Sequence, residues 1–475
     1  MRPREYATLG AADLAASVRS GQASAREIAE AALARVDTLG PRYNAFTAVT
    51  RERALRDAAA VDAARARGEA LPPLAGVPFA VKNLFDVAGL TTLAGAAIER
   101  DRPPATADAT VVARLAKAGA VLVGALNMEE YAYGFVTENA HYGAARNPHD
   151  ESRVAGGSSG GSSAALAAGI VPLTLGSDTN GSIRVPAALC GVCGLKPTYG
   201  RLSRQGAALF ASSLDHVGPM TRSVTDLVLA YDAMQGSDAA DIACAQRDVE
   251  PARPALGLGI DGLRIGVADG YFHDHAGDQA RAALDIAAKA LGAERRVTLT
   301  DVERARAAGF IITASEGAEL HLADLRTRAA EFDFATRDRF LAGAMIPASW
   351  YIDAQRFRAW FRARMHAVFA GVDVIVAAAT PVPATPIGAT AFDLHGKAMP
   401  PRTHLGLLTH AFAFAGLPVA TVPIDGPGLP LGVQLVAAPW REDVALRAAR
   451  ALEIAGVSHA RVAAGALERG TPPPS

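Results

Sequence analysis

The sequence predicts an α/β fold in which helices cover both faces of a central β-sheet. Three observations lead there. Strand-like and helix-like segments alternate along the whole chain, no fixed-period repeat interrupts them, and 50% of the 475 residues are hydrophobic. Length alone admits two or three domains, but a single large α/β domain also reaches this size.

Taken in order, residues 24–36 (SAREIAEAALARV) read as a helix, with Ser24 and Glu27 in capping-box spacing and apolar residues at helical period. Residues 51–68 read as a second, more exposed helix. The first clear strand is GVPFAVK, where Val77, Phe79 and Val81 alternate before Lys82. DATVVARLAKAGA reads as a helix with Asp108 as N-cap, leading into the strand VLVGAL. SSAALAAG starts a helix, and IVPLTLG reads as a buried strand. Further strands are expected at LRIGVA, VDVIVAAA and GVQLVAA, with helices around 278–290, 303–330, 350–370 and 443–455. The tail TPPPS and the stretch GSDAADIACAQRDVEPARPALGLG read as loop, the second as a surface excursion rather than a lobe boundary.

Charge narrows the choice of partner. Lys and Arg total 47 against 48 Asp and Glu, a net charge of −1, so bulk electrostatics recruit neither nucleic acid nor an anionic membrane. A small molecule is the expected partner. The N-terminus has no continuous apolar stretch of a signal peptide, and no run is long and apolar enough for a membrane span. Three cysteines do not make a disulfide framework and fit a reducing cytoplasm. Cys190 and Cys193 spell CGVC, but Cys244 has no histidine at ligand spacing, and the flanking residues lack the strand-then-helix pattern of a redox pair. They read as small, buried, inert thiols. Neither a metal site nor a cofactor is expected.

The stretch GGSSGGSS, residues 156–163, raises the question of which serine does chemistry. A phosphate cradle of the P-loop kind needs Gly-Lys-Ser/Thr at its end, and Gly161 is followed by Ser162 and Ser163. A nucleophile elbow matches at Gly157–Gly161 with Ser159 as nucleophile. That elbow needs a buried strand before it, and ARNPHDESRVA is polar and loop-like. A third reading joins both serine stretches to a lysine. An attacking hydroxyl must lose its proton to a base within hydrogen-bond reach, and a lysine kept neutral in a dry site can be that base. Bringing a lysine from about 10.4 to near 7 costs roughly 4–5 kcal/mol, which burial can supply. Lys82, at the end of an apolar strand, is placed for such burial.

The segments PLAGVPFAVKNLFDVAG, AGGSSGGSSAALAAG and GSDTNGSIRVPAALCGVCGLKPTYGRLSRQG together resemble the amidase signature family. The resemblance implies a single large amidase-signature domain with a mixed central sheet. It spans about 71–470, with a catalytic core near 75–220 and residues 1–70 as a helical segment packed on it. It also implies amide hydrolysis by a Ser–cis-Ser–Lys triad. Matched residue by residue, Lys82 is the base, Ser158 the bridging cis-serine and Ser182, in DTNGSIR, the nucleophile that forms the acyl-enzyme. The oxyanion would be held by backbone N–H groups of Thr179, Asn180, Gly181 and Ser182. The family more often has glycine where Asn180 stands. Asp178 and Arg184 bracket the nucleophile and read as an ion pair holding its loop.

Several phrases outside these segments, among them ALNMEEYAYGFVTENAHYGAARNPHD, ITASEGAELHLADLR and GVQLVAAPW, resemble the 1-carboxybiuret hydrolase subfamily. That resemblance implies release of ammonia from a small ureide, in nitrogen metabolism of the cyanuric acid kind. The assemblies it implies are a homo-oligomer and a complex with a small partner subunit. The glutaminase subunit of the tRNA-dependent amidotransferase shares KPTYGR and SSLD, and would expect a tRNA-binding partner. A scaffold subunit with a dead site is a third reading. A carboxylated ureide wants a guanidinium in the pocket, with Arg326 and Arg402 as candidates. Tyr131 and Tyr133 are candidates to line the acyl pocket.

Overall fold

Eleven strands form one mixed sheet in the computed structural model, which describes residues 3–469. In chain order they are β1 (Phe46–Val49), β2 (Pro78–Lys82), β3 (Val121–Leu126), β4 (Leu173–Asp178), β5 (Cys193–Lys196) and β6 (His216–Thr221). The rest are β7 (Ile265–Asp269), β8 (Arg295–Thr298), β9 (Val374–Ala378), β10 (Val419–Ile424) and β11 (Leu431–Ala437). Their order across the sheet is β1-β3-β2-β4-β6-β5-β10-β11-β9-β7-β8. β2 runs parallel to both β3 and β4, and β7 runs parallel to β8 and β9. The other pairings are antiparallel.

Every residue of β2, β3, β4, β9, β10 and β11 is buried. Side chains alternate between faces along a strand, so helices must cover both faces, and the continuous apolar runs of these strands follow from that. The helix Ala25–Tyr43 packs on β2 and β3, Asp278–Ala290 on β9 and β11, and Glu442–Ile454 on β10 and β11. The capping box at Ser24 forms as expected: Glu27 N–H donates to Ser24 Oγ at 3.0 Å, and Ser24 N–H donates to Glu27 Oε2 at 2.8 Å. Among the described residues no helix is long and apolar enough to cross a membrane.

Several local expectations are corrected. Asp108 caps nothing: the helix is Thr110–Lys117, and the Asp108 carboxylate is held by Arg53 and by Ala88 N–H. The expected strand 170–176 is displaced to Leu173–Asp178, because its polar end, Ser177–Asp178, is paired into the sheet opposite His216 and Val217. Strands β1, β5, β6, β8 and β10 and the helix Phe334–Ala344 were not expected. Residues 3–70 carry four helices, Pro3–Thr8, Ala11–Ser20, Ala25–Tyr43 and Arg51–Ala66, together with β1, which is the edge of the central sheet. The stretch 236–259 is loop with one short turn of helix, returned to the body where Arg204 pairs with Asp241 and Ala245 N–H meets Gly200 O. The TPPPS tail lies outside the described residues.

Candidate active site

β2 and β4 are parallel neighbours, so their carboxyl ends lie side by side and bring Lys82 next to Ser177. Crevices at the carboxyl ends of such strands are where α/β sheets bind ligands. Lys82 is fully buried, and its Nζ donates to Ser158 Oγ at 2.6 Å and to Ser177 Oγ at 2.9 Å. No ion pair engages it among the described residues. Burial lowers its pKa from the ordinary 10.5 to about 7, against the opposing pull of Asp215 and Asp178. Ser177 was missed from sequence, where it lies just past the expected strand 170–176 with nothing to mark it.

The Gly-Ser loop reaches this lysine because its glycines permit close approach. A Cβ on Gly161 would stand 2.5 Å from Asn127 O and 2.6 Å from Ala45 O, so any side chain there would push the loop away. The peptide bond from Gly157 to Ser158 is cis. The other serines are spent on structure. Ser159 Oγ donates to Ser177 O, Ser162 Oγ to Leu175 O and Ser163 Oγ to Gly160 O, which fastens the loop and its helix, Gly160–Ala167, to β4 and to itself.

Ser182 sits on the turn that follows β4, and Ser159 N–H donates to Ser182 O at 3.3 Å, joining the two serine loops. An ion pair closes the turn. Arg184 meets Asp178 in bidentate fashion, with Nε to Oδ2 and Nη2 to Oδ1 both at 2.9 Å, and neither residue is exposed. Burial alone would raise the Asp178 pKa, but Arg184 carries it well below the usual carboxylate range. Asp215 anchors the same turn by accepting from Thr179 Oγ1 at 2.5 Å. Gly181 has φ +148°, and a Cβ there would lie 2.2 Å from Thr409 Oγ1. Among the described residues no protein acceptor is bonded to the N–H groups of Asn180, Gly181 or Ser182. Ser182 opens on a small cavity lined also by Thr179, Asn180, Tyr133, Phe210, Arg339, Arg402 and His410. A buried lysine, a hydroxyl bonded to it, a second hydroxyl on a small cavity and free backbone donors beside it suit acyl transfer.

The Amidase family model matches residues 27–446. The chain belongs to this family. A 1-carboxybiuret hydrolase subunit, AtzE, of Pseudomonas sp. (strain ADP) is 55% identical, over 93% of this chain and 97% of the relative. The A-type subunit of the glutamyl-tRNA(Gln) amidotransferase of Synechococcus sp. (strain WH7803) is 40% identical, over 91% of this chain and 94% of the relative. A solved structure described as an unexpected vestigial protein complex that reveals the evolutionary origins of an s-triazine catabolic enzyme superposes with TM-score 0.94. It is 54% identical, covering 96% of this chain and 100% of that one. A bacterial aryl acylamidase of the amidase signature family superposes with TM-score 0.87 at 27% identity, covering 98% and 99%. This amidase is therefore an amidohydrolase acting on amides, with a small-molecule substrate.

The cavity of this amidase sorts the other candidates. Tyr133 lines it, whereas Tyr131 turns away, donates to Glu99 Oε1 at 2.8 Å and packs on His321. Arg326 is exposed and borders a different depression beside Glu316, Glu319 and Tyr351, so it is not brought to Ser182. The long helix Val302–Thr327 carries it past the site on its outer side. Arg402 does line the cavity, but its guanidinium is paired with the buried Glu129 and donates to Glu138 O at 3.1 Å. Among the lining residues that were not foreseen are Arg339 and His410. The three cysteines are free and buried, and burial pushes the Cys190 thiol up to about 12.

Proposed function

We propose that this amidase hydrolyses a C–N bond of a small carboxylated ureide, with 1-carboxybiuret as the substrate, through a Ser182–Ser158–Lys82 triad. Neutral Lys82 takes the proton of Ser158, which takes that of Ser182 as its Oγ attacks the carbonyl. The relay returns a proton to the departing nitrogen, ammonia leaves, and water repeats the attack on the acyl-enzyme to release a carboxylic acid. The unspent N–H groups of residues 180–182 are the donors for the oxyanion, each worth roughly 3–4 kcal/mol in comparable sites.

The observation that carries this reading is the 2.6 Å contact of a fully buried lysine with Ser158. The substrate rests on the relative named for 1-carboxybiuret and on the small cavity. The relative's description as one subunit of an enzyme, and the structural neighbour's as a complex, support a partner subunit here too. Likeness to the amidotransferase supports a second reading as a glutaminase. Glutamine carries an α-ammonium that needs a carboxylate, and no Asp or Glu lines the cavity among the described residues. The anionic ureide is the better match.

Ammonia release measured across biuret, 1-carboxybiuret, allophanate, glutamine and simple aromatic amides tests this, with and without a partner subunit. The expected result is a kcat/KM for 1-carboxybiuret at least about a hundredfold above that for biuret. A clear preference for glutamine would move the assignment to the glutaminase.

A further inference from the structure

One cation beside the Ser182 cavity is bonded to no protein acceptor. Arg306 lies on the helix Val302–Thr327, which passes against the nucleophile turn: a Cβ on Gly309 would stand 4.0 Å from Asn180 Oδ1. Phe310, the next residue, lines the cavity, and Arg306 stands one helical turn before it on the same face. The guanidinium lies over that ring, with its Cζ 4.9 Å from the centroid. Among the described residues Arg306 forms no ion pair and no hydrogen bond, and its Nε is closed to solvent without a partner. Glu303, earlier on the same helix, is exposed and does not pair with it. Half-buried, and stacked on a residue of the cavity wall, Arg306 sets its charge on the rim.

A side chain that only snorkelled would carry its whole charged head into water. Here part of the head is desolvated, which lowers the Arg306 pKa, yet a guanidinium stays charged at any working pH. Its field reaches the cavity. It adds to burial in holding two histidines below their ordinary 6.5: His410, on the cavity wall and brought to about 3, and His404, next to the lining residue Thr403. Both rings are therefore neutral and add no charge of their own. Arg402 is neutralised by Glu129, while Arg339 adds a charge of the same sign as Arg306. No Asp or Glu lines the cavity among the described residues, so nothing on its wall opposes this positive field.

We propose that Arg306 is a steering cation: from the rim it draws small carboxylated amides toward the Ser182 cavity and raises their capture, leaving bond cleavage to the triad. Like-signed charges around a concave, low-dielectric site focus the field and raise association by about 10–1,000-fold, and one rim charge carries a part of that. A steering cation has to stay unpaired, because a protein carboxylate bonded to it would cancel its field. Arginines with a structural task in this chain are paired, Arg184 with Asp178 and Arg204 with Asp241. The inference rests on the reading of the substrate as a carboxylated ureide.

The experiment measures kcat/KM for 1-carboxybiuret and for biuret, by ammonia release, at ionic strengths of about 0.01, 0.1 and 1 M, where the screening length is about 30, 10 and 3 Å. Wild type is compared with Arg306→Gln, Arg306→Lys and Arg306→Glu. The expected result for Arg306→Gln is a kcat/KM for 1-carboxybiuret about fivefold below wild type at the lowest salt and within about twofold at the highest, carried by KM. Charge reversal in Arg306→Glu should widen the low-salt deficit to about twentyfold, and Arg306→Lys should stay near wild type. Biuret is uncharged and should respond to none of these changes. If Arg306→Glu does not fold, as judged by its melting transition, Arg306→Gln and Arg306→Lys decide. No deficit at low salt, a deficit equal at every salt, or one shared by biuret or by Arg306→Lys overturns the steering role. A wild type without preference for 1-carboxybiuret over biuret instead overturns the ureide reading and the steering role with it, so the two failures are distinguishable.

Discussion

Lys82 Nζ lies 2.6 Å from Ser158 Oγ, with the lysine wholly removed from solvent and no ion pair engaging it among the described residues. Burial outweighs the opposing pull of Asp215 and Asp178 and brings the amine to about 7, where it can exchange a proton at neutral pH.

The pH profile should follow. With the base near 7, kcat/KM should drop tenfold per unit below about pH 7 and level off above it. Lys82→Ala should cost several orders of magnitude at every pH. A profile flat from pH 5 to 9 would remove Lys82 as the base.

The same residue carries a stability cost with a definite sign. Its folded pKa, about 7, lies below the ordinary 10.5, so between these values the unfolded chain holds a proton that the folded one lacks. Stability rises with pH across that window, and the burden is greatest below it. Lys82→Met should therefore raise stability at pH 7, by as much as about 4 kcal/mol, and the gain should shrink toward pH 10.5. Calorimetric melting of both proteins at pH 7 and 10 measures this. A variant less stable at both would show that the lysine holds the loop together.

Ser182→Ala should abolish turnover and leave the melting temperature within a few degrees, because it removes one hydroxyl from a cavity wall. Ser159→Ala should keep most activity, since that hydroxyl ties the loop to the Ser177 backbone, donating to Ser177 O and accepting from Ser177 N–H. The reverse pattern would restore the nucleophile elbow at Ser159.

The parts of this site that were legible in sequence are those packed into short segments with constrained chemistry. Lys82 closes an apolar strand, and glycines near Ser158 are demanded by close approach, Gly161 to Asn127 and Ala45 and Gly160 to Thr137. Arg339 and His410 come from distant elements and carry no local mark. One signal was present. Arg339 lies at helical spacing with the buried Thr336, Phe340 and Gly343, whereas its neighbour Asp338 is exposed. Arg326 lies in a motif-like phrase, yet it points to solvent, because a phrase does not report which face of a helix meets the site. Strands β5, β6 and β10 were missed for a related reason. Cys193–Lys196 and His216–Thr221 end in polar or turn-like residues that only sheet pairing in three dimensions makes strand-like.

The Asp178–Arg184 pair should be structural for the nucleophile turn. Arg184 also donates to Thr409 O at 2.9 Å and to Gln434 Oε1 at 2.8 Å, so its donors face protein rather than the cavity. Arg184→Met should strand a buried carboxylate and cost about 3–5 kcal/mol, with kcat falling for every amide alike. Chemical denaturation and a substrate panel together check it. A loss confined to anionic substrates would instead make Arg184 a ligand contact.

Arg402 lines the cavity with a carboxylate partner of its own. Its partner Glu129 is fully buried, accepts from Thr137 N–H at 2.5 Å, and donates its own N–H to Ser158 O at 3.2 Å. Arg402 thus reaches Ser158 through Glu129, which suits a positioning role. Arg402→Met should leave Glu129 buried and unpaired and loosen the segment that holds Ser158. The expected outcome is a lower kcat on charged and neutral substrates by a similar factor, with little change in KM. Adding Glu129→Gln in the same chain should restore much of the lost stability, because the stranded charge is then gone. A selective rise in KM for 1-carboxybiuret, unrelieved by Glu129→Gln, would place the carboxylate of the substrate on Arg402.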